Sequence, residues 1–234
     1  MNPKHYLFVD ERLLGRCAFC GEAPGTRDHV PSKTLLDDPL PENLGIVESC
    51  AKCNQGFSLD EEYLACFLEC VLVGSTSLTD VKRPKVKRAL EHNPKLAAQI
   101  QASTTIAEDG ACLWMPSANR VQNVVLKLAR GHAAFELSLI QIDEPSEVIF
   151  RPLLAFSVEE REVFERAGAG EIRGWPEINS RAFLRAVGAE PYADSSGPWI
   201  VVQPRRYRYS VDEFGGVRVQ IVISEYLACV VVWE

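Results

Sequence analysis

Apolar positions along this chain change their period several times, and each change marks an element. Leu59, Tyr63, Cys66, Phe67, Cys70 and Val71 recur at spacings of three and four up to Gly74, which predicts one amphipathic helix. Ser58-Leu59-Asp60-Glu61 reads as the capping box that starts it, with Ser58 at the N-cap and Glu61 reaching back. Val81–Arg88 and Pro94–Ala102 read as short helices, the second opened by a proline where proline is tolerated. A strand is expected at Ala111–Met115. Val121, Val124, Val125, Leu128 and Ala129 give another helix face leading to Gly131. Val148–Phe156 then suggests a strand, Ser157–Ala167 a helix with Val158, Val163 and Phe164 apolar, and Ser180–Ala189 a further helix. The tail is strand-like at Trp199–Gln203, Tyr207–Val211, Val217–Ile223 and Leu227–Trp233, with Gly215-Gly216 as a turn.

The first third reads differently. Pro24, Gly25, Pro31, Pro39, Pro41 and Gly45 punctuate it, so no helical period survives there. Short strands and turns are expected, with a loop at Leu36-Asp37-Asp38-Pro39-Leu40-Pro41, after a lead-in over residues 1–16. Ser75-Thr76-Ser77-Leu78-Thr79-Asp80 is the best linker, and no internal repeat is present. The expectation is an α+β chain: a small domain over 1–75, followed by a larger α+β accessory domain over 76–234.

Composition narrows the function classes. With 47% hydrophobic and 24% charged residues in 234, the chain is neither collagenous nor low-complexity. No run approaches the roughly 18 apolar residues of a membrane helix, so no membrane partner is expected. Asp10 and Glu11 follow the first residues before any apolar run, which argues against a secretory signal. A net charge of −7 excludes a bulk nucleic-acid coat; nucleic-acid contacts would have to come from local patches. Eight cysteines without a secretory signal point to metal binding or plain thiols in a reducing, cytoplasmic setting.

Four of those cysteines form two knuckles, Cys17-x-x-Cys20 and Cys50-x-x-Cys53. Two such pairs are what a closed tetrahedral structural zinc site needs, each offering two thiolates from a tight turn. Unligated thiols and a thioredoxin-like dithiol are weaker readings, because the two pairs share one internal spacing and Gly21 follows the first. The 29 residues between Cys20 and Cys50 exceed the usual zinc-ribbon gap of about 15–20, so something is inserted there.

The inserted segment carries Arg27-Asp28-His29-Val30-Pro31 and Asn43-Leu44, and Asn54 follows the second knuckle directly. In that order, around four cysteines, the stretch over about 17–63 resembles the HNH, or ββα-metal, endonucleases. The resemblance implies a zinc-stapled ββα module that hydrolyses DNA phosphodiester bonds. His29 would be the general base, and Asp28 and Asn54 the ligands of a catalytic Mg²⁺ or Mn²⁺ ion. Cys17, Cys20, Cys50 and Cys53 would hold the structural Zn²⁺, and Asn43 would brace the loop. The chemistry suits these types: histidine, with an ordinary pKa of about 6.5, can take a water proton at neutral pH. Hard oxygens hold a divalent ion that stabilises the phosphorane and the leaving oxygen. If the segment is a strand, alternation sends Asp28 and His29 to opposite faces.

The chain departs from the family in three places. No histidine follows Asn54 before His92, Phe57 stands where the family often has lysine, and one residue instead of two separates His29 from Pro31. Arg27 is expected either to hold a phosphate or to orient Asp28. Lys82, Arg83, Lys85, Lys87 and Arg88 form the densest basic run, either a phosphate-backbone contact or a solvated helix face. Arg205-Arg206-Tyr207-Arg208-Tyr209 suits single-strand stacking, but an ordinary strand explains it better. Glu61 and Glu62 read as capping and solvated helix face, Cys66 and Cys70 as core, and His5, His92 and His132 as surface or core histidines. The rival to an enzyme is a degenerate zinc module that binds nucleic acid or protein. A third reading is a defence or toxin nuclease held silent until an activator or partner triggers it. Besides DNA, the candidate partners are a second copy of the chain or a regulatory protein.

Overall fold

A computed structural model describes residues 15–42, 44–106, 108, 112–166, 176–178, 180–189 and 197–234. It is a mixed α+β fold with antiparallel sheets. The chain forms two compact units: one takes in the chain up to Gly56 together with Val125–Glu234, the other is Phe57–Val124. The expected boundary after residue 75 falls inside the second unit, and the expected linker is a turn within it. Asn43 and residues 1–14 of the lead-in, His5 among them, lie outside the described residues.

In the first unit, β1 (Thr26–Val30) and β2 (Gly45–Ser49) form an antiparallel hairpin in which Thr26 faces Ser49 and Val30 faces Gly45. A single 3-10 turn at Lys33–Leu35 lies between them, and the loop expected at 36–41 is irregular. The chain passes straight from β2 through Cys50 into α1 (Ala51–Val73). This helix begins seven residues before the expected Ser58 cap, and Ser58 lies inside it. The cause is local: the Cys53 N–H donates to Cys50 Sγ at 3.4 Å and the Asn54 N–H to the Cys50 carbonyl at 3.0 Å. The knuckle therefore satisfies the orphan amides that a serine cap would otherwise serve.

Among the remaining described residues of the first unit is a five-stranded antiparallel sheet with helices on it. The strands are β5 (Glu147–Pro152), β6 (Ile200–Gln203), β7 (Tyr207–Glu213), β8 (Val217–Ile223) and β9 (Leu227–Trp233), in the order β5-β9-β8-β7-β6. Alternation splits β7 between two faces. Tyr207 and Tyr209 meet His132 of α4 (Ala118–Leu137), the latter ring stacked 3.7 Å from the imidazole. Arg208 turns the other way and binds Glu165 of α5 (Val158–Arg166) at 2.7 Å, beside the cluster of Leu153, Phe164, Val222 and Ala228. Arg206 likewise pairs with Asp37 at 2.8 Å. Both arginines of the basic-aromatic tail segment that flank Tyr207 are thus spent on carboxylates, and its tyrosines are core.

α5 opens on a reciprocal capping box between Ser157 and Glu160, and only Phe164 of its three apolar candidates is buried. α6 is short, Arg181–Ala186, capped by Ser180. α4 runs six residues beyond Gly131, where a Cβ would stand 3.1 Å from the Val30 side chain, so this glycine marks close packing on β1 and not a helix end.

In the second unit, α2 (Pro84–His92) and α3 (Pro94–Ala102) are joined at Asn93, whose side chain caps α3. A small hairpin, β3 (Thr104–Ile106) with β4 (Cys112–Trp114), follows. Asp60 accepts from Arg120 and Asn123, and Tyr63 stacks on Phe67. Cys66 and Cys70 are buried core thiols, as expected, pushed up by burial to about 12 and about 11. No described helix is long and apolar enough to cross a membrane.

Candidate functional site

Four sulfurs converge in the first unit. Cys17, Cys20, Cys50 and Cys53 have their Sγ atoms within 4.8 Å of one another. Cys20 Sγ lies 3.8 Å from Cys50 Sγ, which is the edge of a tetrahedron built on Zn–S bonds of about 2.3 Å. The set can hold a zinc ion, and its four thiolates close the shell. The first knuckle turns through Gly21, whose φ of +76° an L side chain resists, and the Gly21 N–H returns to the Cys17 carbonyl at 2.8 Å. Within the knuckle, the Ala18 N–H donates to the Glu48 carbonyl of β2 at 2.9 Å, so the turn rides on the hairpin. The Cys53 amide bond holds the Cys50 thiol down to about 7, while burial pushes Cys20 and Cys53 up. Four sulfurs from two turns are thus gathered where a cation can draw off their protons.

Next to this clasp, β1 sorts its side chains by alternation. Asp28 and Val30 are buried, while Arg27 and His29 lie on the half-exposed face. Arg27 stands across from Glu48 in register and pairs with it at 3.5 Å, on the strand face away from Asp28. Asn54 sits in the first turns of α1, not at a cap, and its Nδ2 donates to Thr26 Oγ1 at 3.1 Å and to the Arg27 carbonyl at 3.3 Å. Thr26 and Asp28 share one strand face, two residues or about 6.6 Å apart. The helix start and the Asp28 face of the hairpin therefore meet. Asp28 Oδ1 accepts the His29 N–H at 2.8 Å, which fixes the carboxylate against its own strand.

Sequence reading missed Lys127. Its Nζ lies 2.7 Å from Asp28 Oδ2, with only 3% of the lysine side chain exposed. A signal is present in α4: Lys127, His132 and Glu136 interrupt an otherwise apolar helical stripe, and a buried charge there requires a partner. His132 Nε2 meets Tyr207 Oη at 2.8 Å, and Glu136 accepts from Tyr209 Oη and from the Ala182 N–H. Arg181 of α6 donates to the Val30 carbonyl at 3.3 Å, reaching the end of the strand that carries His29. Burial holds Glu136 above and His132 well below their ordinary ranges.

The basic run lies in the second unit. Lys82, Lys87 and Arg88 are exposed and Lys85 half-buried. Arg83 departs from the expected phosphate contact, being 8% exposed at the start of α2, where Glu69 Oε1 accepts its N–H and that of Lys82. Glu61, expected to complete the cap at Ser58, is buried inside α1, while Glu62 on the expected solvated face is half-buried. Compared with protein-family models, with curated proteins and with solved structures, the chain gives no match in any of the three.

Proposed function

We propose that the chain is an HNH-type endonuclease that hydrolyses DNA phosphodiester bonds. His29 serves as general base, and Asp28 and Asn54 ligate a Mg²⁺ or Mn²⁺ ion beside the zinc clasp. The observation that carries this reading is the hydrogen bonding of Asn54 to Thr26 and Arg27, which joins the start of α1 to the strand bearing Asp28 and His29. With its Nδ2 spent on two acceptors, Asn54 retains the carbonyl Oδ1 as a hard donor, and Asp28 adds a carboxylate on the same face. His29, on the other face of β1, receives the proton of the attacking water at its imidazole without competing for the ion. The ion, when bound, supplies charge stabilisation to the phosphorane and the departing oxygen. Arg27 stands on the His29 side, where a phosphate can approach it.

The Asp28–Lys127 ion pair favours one alternative, a degenerate module that binds nucleic acid through the same hairpin without turning it over. Nicking of supercoiled plasmid distinguishes the two. The enzyme cuts with Mg²⁺ or Mn²⁺, and His29→Ala abolishes cutting while zinc content and thermal unfolding stay as in the wild type. Absence of wild-type cutting with either ion, together with a retained gel shift of the plasmid, refutes the enzyme.

A further inference from the structure

Asp28 and Lys127 make a built contact. The carboxylate is 12% exposed, the ammonium lies 2.7 Å from Oδ2, and the Phe19 ring of the first knuckle stands 5.8 Å from the same Nζ. Lys127 projects from α4 within the stripe that packs on the hairpin, where Gly131 meets Val30 and Phe135 meets Gly45. A lysine held this deep loses its hydration, and a close counter-charge must compensate for it. The carboxylate it uses is the one on the Asn54 face of β1, where an ion would sit.

We infer that Lys127 is the resident counter-cation of Asp28, so that its ammonium and a divalent ion compete for one carboxylate. The inference rests on the reading of Asp28 as an ion ligand proposed above. The lysine neutralises Asp28 at Oδ2, while the His29 N–H holds Oδ1. Loading requires the ammonium to retreat along its flexible four-carbon stem, or to share the carboxylate against like-charge repulsion. Divalent affinity is therefore set by α4 as well as by the hairpin, and removing the lysine charge strengthens it.

The test is a titration of Mn²⁺ into the zinc-loaded full chain without nucleic acid, with free Mn²⁺ read by electron paramagnetic resonance. Lys127→Met is expected to bind at least roughly tenfold tighter than wild type, since repulsion over a few ångströms at a protein-like dielectric exceeds the tenfold equivalent. Asp28→Asn is expected to abolish binding in both backgrounds. Equal or weaker binding by Lys127→Met, with the Asp28→Asn loss intact, overturns the competition and leaves the ligand assignment standing. Wild-type binding that survives Asp28→Asn, or no binding by any variant, overturns the ligand assignment and this inference with it. A readout on unmodified protein covers the case in which Lys127→Met does not fold. The ¹⁵N signal of the buried ammonium is expected to shift or vanish on saturation with diamagnetic Mg²⁺, and its persistence unchanged contradicts the competition.

Discussion

Gly45→Ala probes how firmly the hairpin is seated. Gly45 pairs with Val30 at the end of β1, and a Cβ built there would stand 2.8, 2.9 and 3.1 Å from three ring carbons of Phe135. Favourable carbon contacts lie at about 3.5–4.0 Å, so the methyl overlaps the ring by roughly 0.7 Å. The ring has little room to retreat: Phe135 is buried and the Arg181 guanidinium lies 5.5 Å from its centroid. Overpacking of this kind costs about 1–3 kcal/mol. The sign is diagnostic, because in open space the same exchange would stabilise by about 0.4–1 kcal/mol through the unfolded chain. Urea unfolding of the zinc-loaded protein measures it. The expected result is a lower midpoint at unchanged slope, and a destabilisation that shrinks by at least about 1 kcal/mol in a Phe135→Leu background. A stabilising Gly45→Ala, or a cost equal in both backgrounds, refutes the packing of β2 on α4 described above.

Three further outcomes follow from particular interactions. Cys20→Ser is expected to lower zinc per chain well below one and to cost more than about 3 kcal/mol of stability; unchanged zinc by elemental analysis contradicts the clasp. Burial and the Arg181 charge keep His132 neutral in the folded chain, whereas the unfolded histidine takes up a proton below about 6.5. Stability is therefore expected to fall as the pH drops below about 6.5, by at most about 1.4 kcal/mol per pH unit. His132→Phe should flatten that slope, and parallel slopes in the two proteins argue against it. Replacing Lys82, Lys87 and Arg88 together by alanine is expected to weaken DNA binding and to reduce its salt slope by roughly one for each phosphate no longer neutralised. Arg83→Ala should instead lower stability and leave the slope alone; an unchanged slope in the triple variant returns these residues to an ordinary solvated face.

Local patterns are legible wherever period and turn chemistry agree. Pro94–Ala102, Val217–Ile223 and Leu227–Trp233 stand as expected, because a proline at N1 and alternating β-branched runs between turns leave few other options. The start of α1 escapes the sequence because a cysteine sulfur, invisible to rules about serine and aspartate caps, accepts the amide there. The strand character of Arg27–Val30 is legible, and with it the separation of Asp28 from His29. The partners of Lys127 and Arg181 are not, since both reach the hairpin from distant parts of the chain. The extent of the first unit is hidden for the same reason. Lys127, Arg181, Gln203 and Arg206 tie residues 28–37 to α4, α6 and the sheet, so what reads as an accessory region also holds the hairpin and its loop.

Crystals grown with zinc and soaked in MnCl₂, with anomalous scattering collected at both metal edges, address the central proposition in one experiment. The expected result is zinc about 2.3 Å from each of the four cysteine sulfurs, and manganese bound by Asp28 and Asn54 oxygens with Lys127 drawn back. Thiols without zinc, or manganese bound away from both of those side chains, would contradict it.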